Sequence, residues 1–166
     1  MATLRYGEHG YVELNAADGR AAAVLGVPKG EPVADLSAAV MKAIDEPLGF
    51  PPLGQATTPG DRVVLAISPE FPWTAEVVAP VVSKLVEAGV QADGISVLTA
   101  ERLPGSVEED PCRFIAPEYR EQIGRHVHDS TNPADLAYLA TTEAGHPVMI
   151  SRVLHEADLV IPIGYV

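Results

Sequence analysis

The sequence is poor in cysteine, in positive charge and in long apolar runs, and each shortage excludes a class of protein. The only cysteine, Cys112, can form no internal disulfide and stands at no metal-ligand spacing, so we expect a passive small side chain. Lys and Arg number 11 against 23 Asp and Glu, and the net charge of −12 repels phosphate backbones, so no nucleic-acid partner is expected. No apolar stretch approaches the ~20 residues of a membrane span, and residues 1–15 do not read as a secretory signal. We therefore expect a cytoplasmic protein with no membrane partner.

Sequence motifs of several catalytic classes are also missing. The chain has no glycine-rich phosphate loop and no Gly-x-Ser-x-Gly nucleophile elbow. His126 and His128 are spaced like two metal ligands on one face of a strand, but no third ligand follows at motif spacing. The neighbouring pair His128 and Asp129 is also explained by a hydrogen bond at the start of a loop. No metal site is therefore predicted within the chain.

The composition that remains is that of one globular domain. The 166 residues are 47% hydrophobic and 20% charged, enough to bury a core. Tyr11–Leu14 alternates and 21–27 is apolar, with a turn signal at Asp18, which predicts a short β element in the first 30 residues. Apolar residues at helical spacing predict a helix over 33–44, and the Pro/Gly-rich stretch 46–60 predicts a loop.

From Asp61 onward, strand and helix patterns alternate. The continuous apolar run 63–67 predicts a strand covered on both faces, and 74–88 predicts a helix. Further elements are predicted as strands over 95–98 and 126–128, a helix over 118–125, a hairpin of 137–141 with 147–150, a short helix over 151–155 capped by Ser151, and a strand over 158–163. This rhythm predicts an α/β fold: a three-layer-like domain with a mainly parallel central sheet, plus the short N-terminal β element.

Candidate functional residues follow the predicted strands, because ligand-binding loops of an open α/β sheet begin at the carboxyl ends of its strands. In the loop after 63–67, two prolines stiffen the chain around Glu70, which suits an acid/base or a ligand anchor. Trp73 in the same loop is a candidate substrate contact; the alternative is that it packs on the sheet where the helix starts. Glu101 and Arg102 follow the next strand, as functional groups or as an ordinary solvated pair. The third such place is 164–166.

Several segments of the chain match, in order and spacing, the pattern of one family. They are Pro59–Val64, Ala88–Val90, Tyr138-Leu139 with Thr141-Thr142, Gly145 with Pro147-Val148, and Arg152 with Glu156–Leu159 running into Ile163-Gly164. On these segments the chain resembles the amino-terminal domain of the nickel-pincer lactate racemase family, from about Leu48 onward.

The resemblance implies racemisation or epimerisation of a 2-hydroxy acid. In that family, a nickel-pincer cofactor accepts a hydride from the α-carbon, while paired histidines exchange the hydroxyl proton. The family's second catalytic histidine, the lysine that carries the pincer and the histidine that ligates nickel would all lie beyond Val166. We therefore expect no cofactor within this chain, a nickel-pincer nucleotide in the full-length protein, and the missing carboxyl-terminal part as a partner.

The loop after the first strand departs from the family pattern Ser/Asn-Asp-x-Thr-Arg-Pro. Ser68 matches, and the resemblance makes it a substrate-binding residue. Pro69, Phe71, Pro72 and Trp73 stand where the family has aspartate, threonine, arginine and proline. Because proline cannot clamp a carboxylate as arginine does, we expect a substrate other than lactate.

The loop after the next strand departs from the family pattern Gly-Thr-His-Arg. Glu101 stands at the catalytic histidine, and Arg102 is retained. A glutamate can still accept a proton, so Glu101 and Glu70 are the predicted catalytic residues, and Arg102, Ser68 and Trp73 the predicted substrate contacts.

Three interpretations of the chain follow. The first is an α/β amino-terminal domain, 1–166, of a longer 2-hydroxy-acid racemase or epimerase, inactive in isolation. The second is a non-catalytic ligand-binding or assembly module on the same scaffold. The third is a nickel-independent enzyme that uses Glu70 and Glu101 as a carboxylate pair.

Overall fold

A computed structural model describes residues 2–6, 10–14, 31–69, 71–101 and 109–164 of the chain. The chain divides into two compact units, residues 1–33 and residues 34–166, and each is described by itself.

The first unit contains an antiparallel pair of strands, β1 (Ala2–Tyr6) and β2 (Gly10–Leu14). The pairing confirms the predicted N-terminal β element and its strand over Tyr11–Leu14. The predicted turn at Asp18 and the strand over 21–27 lie outside the described residues.

The described part of the second unit alternates helices and strands. Its strands are β3 (Val63–Ile67), β4 (Ile95–Ala100), β5 (Gly124–His128), β6 (Leu136–Thr141), β7 (Pro147–Ser151) and β8 (Leu159–Ile163). Its α-helices are α1 (Leu36–Asp45), α2 (Leu53–Ala56), α3 (Thr74–Glu87), α4 (Pro117–Arg120) and α5 (Arg152–His155). Short 3₁₀ turns precede β4 (Ala92–Gly94) and β6 (Pro133–Asp135).

The central sheet is parallel and has the strand order β5-β4-β3-β8. β3 lies in the middle because its side chains are apolar on both faces, as the continuous run 63–67 predicted. β6 and β7 form a separate antiparallel hairpin. The predicted α/β class with a mainly parallel central sheet is therefore confirmed.

Helix α3 covers one face of the central sheet. Its buried Val78, Val82 and Leu85 lie in the same apolar core as Leu65 and Ile95. Helix α1 packs against α3, and the Lys84 ammonium lies 2.6 Å from the Asp45 carboxylate between the two helices. The contact raises the pKa of Lys84, chiefly through its hydrogen bond to Asp45.

Two predicted segments differ from the observed structure. The helix predicted over 118–125 is only the single turn α4, Pro117–Arg120, and strand β5 begins at Gly124, because Gly124 and Arg125 pair with Ser96 and Val97 of β4. The predicted loop 46–60 contains the short helix α2, because its Leu53 is buried in the core.

Cys112 is fully buried in the core, and this burial raises the pKa of its thiol, as expected of a passive packing residue.

None of the helices in the described part of the chain has the length and apolar character that a membrane span requires.

Candidate functional site

A cleft of about 620 Å³ opens at the carboxyl ends of the central strands. One side is formed by the ends of β3, β4, β5 and β8, and the other by the end of β7 and by α5. It is lined by Ala66, Ile67, Ser68, Leu98, Thr99, Ala100, His128, Met149, Ile150, Ser151, Leu154, Pro162, Ile163 and Gly164. The cleft therefore lies where ligands bind in open α/β sheets.

Small residues form the floor of the cleft. A Cβ atom on Gly164 would lie 2.7 Å from the Cβ of Ser68, so only glycine fits beside this serine. The Ser68 amide donates a hydrogen bond to the Ile163 carbonyl at 2.8 Å, which continues the β3–β8 pairing one residue further. This contact brings the Ser68 hydroxyl and the Gly164 backbone together at the strand ends.

The opposite wall of the cleft is anchored by Arg152. Its guanidinium donates hydrogen bonds to the Ala134 carbonyl at 2.9 Å and to the Leu136 carbonyl at 2.7 Å, which ties α5 to the start of β6. Met149 and Leu154 line the cleft from this wall. Ser151 occupies the N-cap position of α5 as predicted, but its side chain makes no capping hydrogen bond.

His128 is the imidazole of the cleft, at the last residue of β5. Its Nδ1 atom is covered by protein and has no hydrogen-bond partner among the described residues. The next residue, Asp129, accepts hydrogen bonds from the Thr131 hydroxyl at 2.6 Å and the Thr131 amide at 2.8 Å. These bonds, that of the hydroxyl above all, lower the pKa of Asp129. The loop-start hydrogen bond expected near 128–129 therefore goes to Thr131.

Of the predicted site residues that the structure describes, some line the cleft and others lie outside it. Ser68 lines the cleft. Glu101 directly follows β4, is exposed, and is not among the residues that line the cleft. Trp73 begins α3 in a left-handed conformation (φ 57°) with 59% of its surface exposed, so it does not pack on the sheet.

Two predicted site residues, Glu70 and Arg102, lie outside the described residues. The proposed carboxylate pair of Glu70 and Glu101 therefore stays a prediction. Of the third predicted place, 164–166, Gly164 lies in the cleft as its position after β8 indicated.

His128 is a cleft residue that the sequence reasoning considered as a metal ligand or as part of a loop-start hydrogen bond, and not as an acid/base group. The signal that finds it is the rule already applied to the other loops: it ends a parallel strand, and its register partner Ala100 ends the neighbouring one. The described residues hold no group of three or more His, Cys, Asp or Glu side chains that could bind a metal.

Comparison with known proteins identifies relatives of this fold and sequence. The sequence profile of the family described as "Lactate racemase N-terminal domain" matches residues 6–166. Among solved structures, the lactate racemase apoprotein from Thermoanaerobacterium thermosaccharolyticum is similar, with a TM-score of 0.56 and 18% sequence identity. The similarity covers 77% of this chain and 31% of that protein, so the chain spans about a third of its length. No curated protein sequence matches the chain significantly.

Proposed function

Because the chain belongs to the lactate racemase N-terminal domain family, we propose that it is the amino-terminal part of a racemase or epimerase that acts on a 2-hydroxy acid other than lactate. The observation that supports this most is the cleft at the carboxyl edge of the parallel sheet, with Ser68, which matches the family pattern in the loop after β3, in its lining. The protein is proposed to work in the cytoplasm.

The cleft residues bind and orient the substrate in this proposal. Ser68 offers a hydroxyl that donates or accepts a hydrogen bond, and Gly164 lets the ligand approach the backbone closely. Among the described residues that line the cleft there is neither lysine nor arginine. We therefore propose Arg102, which follows β4 by two residues in the sequence, as the guanidinium that binds the substrate carboxylate.

His128 is proposed to exchange the hydroxyl proton of the substrate. The family's histidine after β4 is replaced by Glu101, whereas β5, the neighbouring strand, ends in an imidazole that lines the cleft. An unpartnered buried nitrogen costs about 1–3 kcal/mol, which favours rotation of the ring about the soft terminal torsion of the side chain. After such a rotation, a ligand hydroxyl in the cleft would supply the missing partner.

The nickel-pincer cofactor of the family does not fit the described residues of this chain. They form no metal-binding group, and neither lysine nor cysteine lines the cleft. The hydride chemistry that such a cofactor supplies is therefore proposed to come from the part of the full-length protein that follows, and the described residues contribute binding, orientation and proton exchange.

A second candidate function is a non-catalytic binding module on the same scaffold. It is favoured by the loop after β3, where Pro69 and Pro72 stand in place of the family's aspartate and arginine, and by the exposed position of Glu101. Such a module would bind an organic acid in the cleft without changing its stereochemistry.

The test is stereochemical inversion by the full-length protein, purified from cells that supply nickel. We expect enantiopure 2-hydroxy acids to be converted into mixtures of stereoisomers on chiral chromatography. His128→Gln is expected to lower kcat by roughly 10²- to 10⁴-fold, as loss of an acid/base group does, with a smaller change in KM.

His126→Gln is the matched control, because His126 lies two residues earlier on β5 and is exposed. It should leave kcat near that of the unmodified protein. Binding of the acids without any inversion, in a protein shown to contain nickel, would contradict the racemase and support the binding module.

A further inference from the structure

The two sides of the cleft differ in polarity, and this difference indicates which kind of substrate side chain the cleft can bind. The strand ends contribute the polar groups of Ser68, Thr99 and His128. The wall formed by β7 and α5 contributes the apolar residues Met149, Ile150 and Leu154, together with Ser151 at the end of β7. A ligand that binds its hydroxyl and carboxylate at the strand ends must therefore direct its remaining atoms toward apolar side chains.

The cleft is also much larger than a lactate side chain requires. Its volume of about 620 Å³ equals that of roughly twenty water molecules in the liquid, at ~30 Å³ each. Lactate carries one methyl group on its α-carbon, which would leave most of the apolar wall in contact with water. Filling that space with apolar ligand atoms is favourable in proportion to the area removed from water.

Two residues of the wall are suited to contact such atoms. Met149 is 44% exposed in the absence of a ligand, and its flexible thioether adapts to side chains of different shape. Leu154 projects from α5, whose position is fixed by the Arg152 hydrogen bonds to the start of β6. Leu98 and Pro162 complete the apolar surface from the side of the sheet.

We propose that the substrate is a 2-hydroxy acid with an extended or branched apolar side chain, bound against Met149 and Leu154. This inference rests on the proposed racemase function and adds the class of side chain. A second carboxylate on the substrate would meet Met149 and Leu154 without a lysine or arginine among the described residues of the lining, which disfavours dicarboxylic acids such as malate.

The experiment compares acids of increasing chain length with the full-length protein. Lactate, 2-hydroxybutyrate, 2-hydroxyvalerate, 2-hydroxyisocaproate and malate are measured for kcat/KM, and for affinity by calorimetry. We expect both quantities to rise by up to about fourfold per added methylene, and malate to be the poorest ligand.

The wall is tested by Leu154→Ala and by the milder Met149→Gln, with Leu139→Ala as control. Leu139 lies on β6 of the same hairpin, is 54% exposed and is not in the cleft lining. The two wall variants should lower the affinity for 2-hydroxyisocaproate about tenfold and that for lactate little, whereas Leu139→Ala should change neither.

Different results would contradict the apolar side chain of the substrate and the racemase function. Affinities that rise with chain length in a protein that inverts none of the acids would support the apolar cleft and contradict the racemase. Inversion of lactate or malate as efficient as that of the longer acids, unaffected by the wall variants, would overturn the inference and leave the racemase standing.

Discussion

Asp158 connects the beginnings of the two strands that end at the cleft. Its carboxylate accepts a hydrogen bond from the Arg62 amide at 2.8 Å, and its own amide donates to the Arg62 carbonyl at 2.9 Å. The hydrogen bond from the Arg62 backbone, assisted by the Arg62 guanidinium, lowers the pKa of Asp158. A residue 96 positions away in sequence thereby fixes the register of β8 against β3.

This pKa shift makes the stability of the chain dependent on pH in the acid range. The folded-state pKa lies below the unfolded value of about 3.9, so the stabilisation is fully present above about pH 4 and is lost as the pH falls through the folded-state pKa. Asp158→Asn should therefore lower the urea midpoint at pH 7 more than at pH 2.5. Asp93→Asn, at an exposed carboxylate with no hydrogen bond or ion pair among the described residues, is the control. An equal loss at both pH values for Asp158→Asn would contradict this account.

Several of the residues on which the resemblance to the family rests hold the strands in place. The matched segments include Gly164 and the pair formed by Arg62 and Asp158, which hold the strands, whereas positions 69, 72 and 101 depart from the family pattern. An exchange of histidine for glutamate at position 101 removes an imidazole from the end of β4. The imidazole of His128, at the end of the neighbouring strand, lies among the described residues that line the cleft and is the proposed replacement.

At the scale of elements, the close approach of β3 and β8 forms the floor of the cleft. Gly164→Ala would place a Cβ atom 2.7 Å from that of Ser68, so we expect a loss of about 1–3 kcal/mol in the free energy of unfolding, as for other overpacked sites. Ser68→Gly removes the obstructing atom, and the double variant should recover most of this loss. Urea denaturation of the four proteins measures the coupling.

Gly54→Ala is the control, because a Cβ atom there meets no atom closer than 3.8 Å. It should leave stability nearly unchanged. Two results would contradict the close approach of the ends of β3 and β8: a Gly164→Ala variant as stable as the unmodified protein, or a double variant with Ser68→Gly that is no more stable than Gly164→Ala alone.

The sequence predicts an element well when local burial determines it, and poorly when pairing with a distant strand determines it. β3 was predicted to the residue because burial on both faces produces an unbroken apolar run over 63–67. β5 was partly missed because it is an edge strand with exposed Arg125 and His126, and its formation depends on pairing with β4. Local pattern carries no information about such pairing.

The sequence predicted the strand-end side of the candidate site and missed the wall opposite to it. The rule that ligands bind at strand ends located Ser68 and Gly164. The wall that holds Met149 and Leu154 was not foreseen, because local sequence pattern does not specify how the hairpin and α5 lie against the sheet. The Arg152 hydrogen bonds that join α5 to the start of β6 are likewise absent from such a pattern.

At the scale of the whole molecule, the cleft is proposed to be one side of a larger active site. The chain spans about a third of the similar lactate racemase, and the described residues supply polar strand ends and an apolar wall but no metal ligands. The net charge of −12 opposes the approach of an anionic acid, and the proposed binding of the substrate carboxylate by Arg102 would offset this repulsion locally.

The central claim is that the full-length protein inverts a 2-hydroxy acid by hydride transfer, and the fate of the α-hydrogen tests it most directly. Enantiopure 2-hydroxyisocaproate is incubated with the full-length protein in D₂O, and the recovered acid is analysed by proton NMR and chiral chromatography. Hydride transfer returns the hydrogen that it removes, so the account predicts inverted product that retains its α-hydrogen. A carboxylate pair such as Glu70 and Glu101 would instead exchange that hydrogen with solvent. Inverted product labelled with deuterium, or acid recovered without inversion, would contradict the account.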